Sequence, residues 1–154
     1  MKAIKTAAVA LVAGLALGIV ATPGFATEFE IRMLNKGEKG VMVFEPDFVR
    51  AQPGDTINFV SVDPGHNAET IKGMVPEGAE TFRSKVSKDF SVTLTEEGIY
   101  GVKCTPHYGM GMVALVVVGE PGNADAAAKV KHPGKAKKHF AELFEALPEK
   151  LAAN

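Results

Sequence analysis

The tightest constraint in this chain is a nine-residue segment, Cys104-Thr105-Pro106-His107-Tyr108-Gly109-Met110-Gly111-Met112, set between two runs of strand character. Residues 99–103 follow the turn signal Glu97-Gly98, and 112–118 are continuously apolar, as suits a strand buried within a sandwich. The segment places a thiol, an imidazole and a thioether within nine positions, and glycines at 109 and 111 let its backbone wrap tightly. A fold that accommodates it has to bring strand ends and a short, chemically dense loop to one edge.

The neighbouring sequence supplies such a fold. Residues 28–33 and 90–95 alternate polar and apolar, the period of a half-buried strand. Residues 41–44 and 56–62 are rich in β-formers, and Gln52-Pro53-Gly54-Asp55 is a turn signal ahead of the second. Short strands punctuated by Gly and Pro, with no helix between most of them, predict two packed antiparallel sheets. No internal repeat is present. Composition then changes at Glu120-Pro121-Gly122. Residues 124–130 and 135–151 are rich in Ala, Lys, Glu and Leu, and Phe140, Leu143, Phe144 and Leu147 make one apolar helical face. The expectation is a mainly β chain with two C-terminal helices, separated by His132-Pro133-Gly134, that cover one face or edge of the sandwich. The lysines at 129, 131, 135, 137 and 138 read as solvated surface.

The first residues read as an export signal. Lys2 and Lys5 precede an apolar run over 6–21, Pro23 and Gly24 break it, and Gly24-Phe25-Ala26 prepares a cut after Ala26. A membrane anchor needs about 20 apolar residues, and this run is shorter and lacks a charged stop. The chain thus divides into a signal peptide (1–26), a sandwich (27–120) and a helical extension (121–154). No later segment is suited to span a bilayer. The 154 residues include 17 basic and 18 acidic ones, and removal of Lys2 and Lys5 leaves 15 against 18, a charge of about −3. That balance argues against nucleic acid, which selects a strongly basic domain.

Export makes the lone cysteine informative. Oxidising compartments pair thiols, yet Cys104 has no second cysteine to meet. A metal explains it better than a buried bystander or an intermolecular bridge, given His107 and Met112 in the same loop. His66 is the remaining candidate, 38 residues upstream in Asp63-Pro64-Gly65-His66-Asn67, where a loop after a strand could reach the same end of the sandwich. Two histidines, a cysteine and a weak axial methionine are the ligands of a blue-copper electron-transfer site. Soft sulfur favours Cu(I) and imidazole accepts either oxidation state.

Three rivals share these residues. A zinc-dependent hydrolase would use Cys104, His66 and His107 with water in the fourth position, but neither Asp63 nor Glu69 is marked as a buried general base. A cysteine hydrolase built on Cys104 and His107 lacks an orienting group. A periplasmic copper carrier would use similar ligands and release the metal readily.

Met33-Leu34-Asn35-Lys36-Gly37, Met42-Val43-Phe44-Glu45-Pro46, Pro76-Glu77-Gly78-Ala79-Glu80, Cys104-Thr105-Pro106-His107-Tyr108 and the helical tail together resemble the cupredoxins. The Cys-x2-His-x4-Met spacing is shared with plastocyanin, whereas the other segments and the tail select a bacterial branch. The resemblance implies an eight-stranded Greek-key β-sandwich and one copper ion held by His66, Cys104, His107 and Met112. It implies a monomeric periplasmic electron shuttle whose transient partners include copper nitrite reductase and cytochrome c. It also implies that the Asn67 backbone N–H reaches the Cys104 sulfur, while the Asn67 side chain ties two loops together with Thr105 as its partner. Met42 would pack against His107. Around His107, Lys36, Lys39, Lys72, Lys85 and Lys103 are candidates for a basic docking rim.

Overall fold

The computed structural model describes residues 25–152. The expected export signal falls almost wholly on residues 1–24, outside the described residues. Eight strands build two four-stranded sheets: β1 (Glu28–Gly37), β2 (Gly40–Glu45), β3 (Phe48–Ala51), β4 (Asp55–Ser61), β5 (Glu69–Thr70), β6 (Phe90–Leu94), β7 (Gly98–Lys103) and β8 (Val113–Val118). The strand orders are β2-β1-β4-β6 and β3-β8-β7-β5. Each sheet contains one parallel pair, β1 with β4 and β3 with β8, where the sequence pattern predicted antiparallel pairing throughout. The difference arises because the chain leaves the first sheet after β2 and enters the second at β3, so β1 and β4 meet without a hairpin between them.

Period-two alternation decides what each strand buries. Ile31 and Met33 of β1, Phe44 of β2, and Ile57 and Phe59 of β4 point inward, joined by Leu94 of β6. Phe59 lies against Phe44, Phe82 and Phe90, with ring centroids 5.9–6.4 Å apart, in the edge and offset geometries that aromatic pairs prefer.

β8, like most of its neighbour β7, is buried on both faces. Ala114, Val116 and Val118 enter the core between the sheets. Val113, Leu115 and Val117 enter a second apolar cluster on the outside, against Ala136, Phe140 and Leu143. Those last three lie on α2 (Gly134–Glu145), which with α1 (Ala124–Ala127) and α3 (Leu147–Ala152) makes up the tail. The expected second helix is therefore divided at Ala146. Pro148 has no N–H to give the Phe144 carbonyl, so the helical ladder cannot run through. Among the described residues, no helix is long and apolar enough to cross a membrane.

Candidate metal centre

Cys104 and Met112 come together through strand pairing. β7 and β8 are antiparallel with Lys103 opposite Val113, so the next pair outward is Cys104 and Met112. The Cys104 N–H donates to the Met112 carbonyl at 3.0 Å. Alternation from Tyr100 and Val102 turns Cys104 inward, and alternation from Ala114 and Val116 does the same for Met112. The thiol and the thioether thus share the interior face at one end of the sandwich, both completely buried. Between them the loop closes on itself through a short 3-10 turn, Tyr108–Met110. His107 N–H donates to the Cys104 carbonyl at 3.2 Å, and Met112 N–H donates to the His107 carbonyl at 3.2 Å.

His66 arrives from the loop after β4 and is also completely buried. Its Nδ1 lies 3.1 Å from Nδ1 of His107 and 3.7 Å from the Cys104 sulfur, and the His107 Nδ1 is 3.5 Å from that sulfur. A triangle with these edges has its centre about 2.0 Å from each corner, which is the reach of a bond from imidazole nitrogen to a first-row metal ion. Met112, buried in the same interior cluster as Cys104, is the remaining soft donor of the loop.

The tautomer of His66 suits such a role. Its Nε2 is 2.9 Å from Oδ1 of Asn35, and an amide oxygen only accepts, so Nε2 carries the proton. Nδ1 is left with a lone pair aimed at the centre of the triangle. Burial, and then the charge of His107, push the His66 pKa down and keep the ring neutral. Burial pushes the Cys104 thiol up, against backbone N–H groups of Asn67 and His107 directed at the sulfur. A metal entering here displaces the thiol proton.

The loops around these atoms are cross-braced. Asn67 Oδ1 accepts from the Thr105 N–H at 2.7 Å, and its Nδ2 donates to the Thr105 hydroxyl at 3.1 Å, the bridge expected of this pair. That hydroxyl donates to Glu69 at 2.6 Å. Glu69 also pairs with Arg83 and Lys103, and Asp63 accepts from the Asn35 N–H, so neither carboxylate stands free as a general base. Met42 packs on the interior cluster that contains Cys104 and Met112, at a positive φ of 53° in the strand segment facing Asn35.

Asn35 and the tail are the contributors that residue patterns did not reveal. α2 meets the ligand loop closely: a Cβ at Gly134 would collide with the Gly109 carbonyl, and one at Gly111 would lie 3.3 Å from Cβ of Lys135. His132, whose ring packs on Phe140, is 2.7 Å from the Tyr108 hydroxyl. His107 alone of the four is partly exposed; Thr105, Pro106, Gly109 and Met110 around it are open to solvent.

Known proteins resemble this chain in sequence and fold. Residues 31–119 match the copper-binding protein family of plastocyanin and azurin. Pseudoazurin of Paracoccus pantotrophus is 58% identical over 135 residues, covering 86% of this chain and 93% of its own. The crystal structure of pseudoazurin from Methylobacterium extorquens AM1 superposes with a TM-score of 0.76 at 49% identity, over 78% of this chain and 98% of that one. Pseudoazurin from Hyphomicrobium denitrificans gives 0.73 at 43% identity, over 77% and 96%.

Proposed function

The chain belongs to the plastocyanin/azurin family of copper-binding proteins, within its pseudoazurins, and from that premise we propose that His66, Cys104, His107 and Met112 hold its single copper ion. It is a copper electron carrier and not an enzyme. The observation that supports the ligand assignment is the convergence of two imidazole nitrogens and a thiol within 3.1–3.7 Å, with Met112 buried in the same interior cluster as the thiol. Copper held there supplies a one-electron Cu(I)/Cu(II) couple. The residues contribute constancy: Asn35 fixes one ring, strand pairing fixes both sulfurs, and burial excludes water from all but the His107 edge. Adding copper to the metal-free protein should produce an intense blue band that saturates at one equivalent. Repeated reduction and reoxidation should leave the metal bound. A colourless complex sinks this reading in favour of a zinc site, and loss of metal on reduction favours a carrier.

The protein acts in the periplasm of its bacterium, exported by residues 1–26 and cut before Thr27. Two bonds at Thr27 support that boundary. Its N–H donates to the buried Asp55 carboxylate at 2.7 Å, and its carbonyl accepts from Thr56 at 2.9 Å. A new α-amino group at this position would meet a carboxylate already in place. N-terminal sequencing of exported protein should begin at Thr27, and a retained Met1 overturns the assignment.

Electrons leave through the exposed edge of His107. On the Met110 side of the same loop, Val41 (56% exposed) and Met110 (46% exposed) line an apolar hollow with Met42, rimmed by Lys39, Lys135 and Lys138. Of the five lysines singled out in the sequence, Lys39 is paired with Asp47 and Lys103 with Glu69. Among the described residues Lys36, Lys72 and Lys85 have no carboxylate partner, and they carry the uncompensated positive charge. The monomer docks this face briefly on acidic redox proteins, a copper nitrite reductase as acceptor and a cytochrome c among its partners. Small interfaces suit such encounters, and charge steering sets their rate. The rate should fall as salt shortens the Debye length from about 10 Å at 0.1 M. Charge reversal at Lys36 should slow transfer more than reversal at Lys137. Equal effects at both places move the docking face elsewhere.

A further inference from the structure

We propose that His139, on the tail helix, is a positioning residue for the methionine end of the metal loop, acting through the Gly111 carbonyl and held in place by Asp47 and Lys39. The inference rests on the ligand reading above. His139 Nδ1 is 2.7 Å from the Gly111 carbonyl and its Nε2 is 2.8 Å from Oδ2 of Asp47. Both partners only accept, so both ring nitrogens donate and the ring is an imidazolium. Asp47 is itself buried, and Lys39 grips both of its carboxylate oxygens at 2.6 and 2.7 Å. The Asp47 backbone carbonyl accepts from Leu115 of β8 at 2.9 Å, which anchors this chain of contacts in the sheet. A relay therefore runs from β8 through Asp47 and His139 to Gly111.

Gly111 is the residue where such a contact matters. It immediately precedes Met112 and sits in the left-handed region at φ 95°, where its carbonyl direction follows from the turn. Lys135 packs on it from the same helix. No side-chain bond to the Met112 thioether is needed for this control, since fixing the preceding peptide fixes where the Met112 side chain begins.

The charged groups around His139 come from three elements. Lys39 lies on the β1–β2 turn, Asp47 on the β2–β3 turn, and Lys135, Lys138 and Glu142 on α2 itself. The loop side offers Met110 and Gly111, which do not titrate, and β2 offers Val41, Met42 and Val43. The bond to Asp47 pushes the His139 pKa up, against burial and the charge of Lys39. Burial pushes Asp47 up, but its hydrogen bonds to His139 and Lys39 outweigh that and hold it at about 2.

The test compares His139→Leu, Asp47→Asn and, as control, Lys137→Ala on the opposite side of α2. In metal-free protein, amide hydrogen exchange at Gly111 and Met112 should speed up on the order of tenfold or more in His139→Leu, with β6 and β4 unchanged. In the copper protein, His139→Leu should shift the visible band and the reduction potential. Asp47→Asn should shift both in the same direction by less, because a neutral His139 can still donate to Gly111. Lys137→Ala should do neither. Should His139→Leu fail to fold, Asp47→Asn alone decides the matter. Unchanged spectra, potentials and local exchange, with only a lower melting temperature, overturn the proposal and leave His139 a structural clasp. Failure of the wild type to turn blue instead overturns the ligand reading.

Discussion

The two histidines that face each other across the candidate copper position are held by opposite means. His66 is completely buried, its tautomer is set by Asn35 on β1, and Ser87 N–H donates to its backbone carbonyl at 2.8 Å. His107 stands at the surface on a loop that Asn67 and Glu69 brace at Thr105 and that the tail braces beyond His107: Gly109 against Gly134, Gly111 against Lys135 and His139, Tyr108 against His132. The first arm belongs to the sandwich and the second to an added layer. Rigidity and access are thereby assigned to different parts of the chain. In the proposed copper site the sandwich would hold the geometry constant as the charge changes, and the loop would carry one ligand out to the surface.

The severest way to break the comparison is to remove the atom both arms share. Cys104→Ser should abolish the blue colour altogether, and since the chain has no other cysteine, a blue Cys104→Ser protein would show that the colour does not come from a copper–thiolate bond. Next comes the sandwich arm. Asn35→Ala frees His66 to rotate and change tautomer, and loss of such a supporting partner costs about 10–100-fold in metal affinity. Competition with a chelator measures it, and an unchanged affinity would mean that burial alone holds the ring.

On the loop arm, Met112→Gln should retain copper and lower the potential, since the axial ligand tunes it. Met110, exposed and two residues away, serves as the internal control. If Met110→Ala moves the spectrum strongly and Met112→Ala does not, the axial assignment fails. Pro106→Ala should act more gently, raising the potential. Proline cannot donate, and a new N–H reaching the Cys104 sulfur would draw charge from the thiolate and favour Cu(I). Voltammetry that shows the same or a lower value, with all ligands bound, counts against this.

The smallest effect concerns pH. The pKa of His139 is raised from 6.5, so its stabilisation is full below that value and is lost as pH rises through the folded pKa. Asp47 is lowered from 3.8 to about 2, so its contribution is full above 3.8 and fades as pH falls toward 2. The stability gap between wild-type and His139→Leu metal-free proteins should be widest between those limits and narrow in alkali. A gap independent of pH would show that the ring acts by packing alone.

Parts of this arrangement were legible in the residues and parts were not. Cys104 and Met112 declared themselves because the chain has a single cysteine, and it shares one short, glycine-containing loop with His107 and Met112 between two strand-like runs. The helical tail was legible from the spacing of Phe140, Leu143, Phe144 and Leu147. Pro148 signals the break after Ala146, although the apolar stripe runs smoothly past it. β3 and β5 have four and two residues, too few for any period to show. Asn35 lies 31 residues from His66, and Asp47 lies 92 from His139. Pairs so distant are created by the topology, and one asparagine in a strand looks like any other. The parallel pairs were hidden for the same reason, since pairing direction follows from where the chain crosses between sheets.

The double burial of β8 has a consequence for solubility. Its six residues, VALVVV, carry no charge, no proline and strong β-propensity, the composition of segments that stack into fibrils when uncovered. Only β3, four residues long, shields the strand on its outer edge, and the apolar cluster over Val113, Leu115 and Val117 is closed largely by the tail, through Ala127, Ala136, Phe140, Leu143 and Leu147. A chain cut after Gly119 would therefore meet a different fate from one that is merely less stable. It would expose a sticky ribbon beside a short edge, and self-association would compete with folding. The tail is thus a gatekeeper as well as a brace, and its removal should be read first in a light-scattering cell.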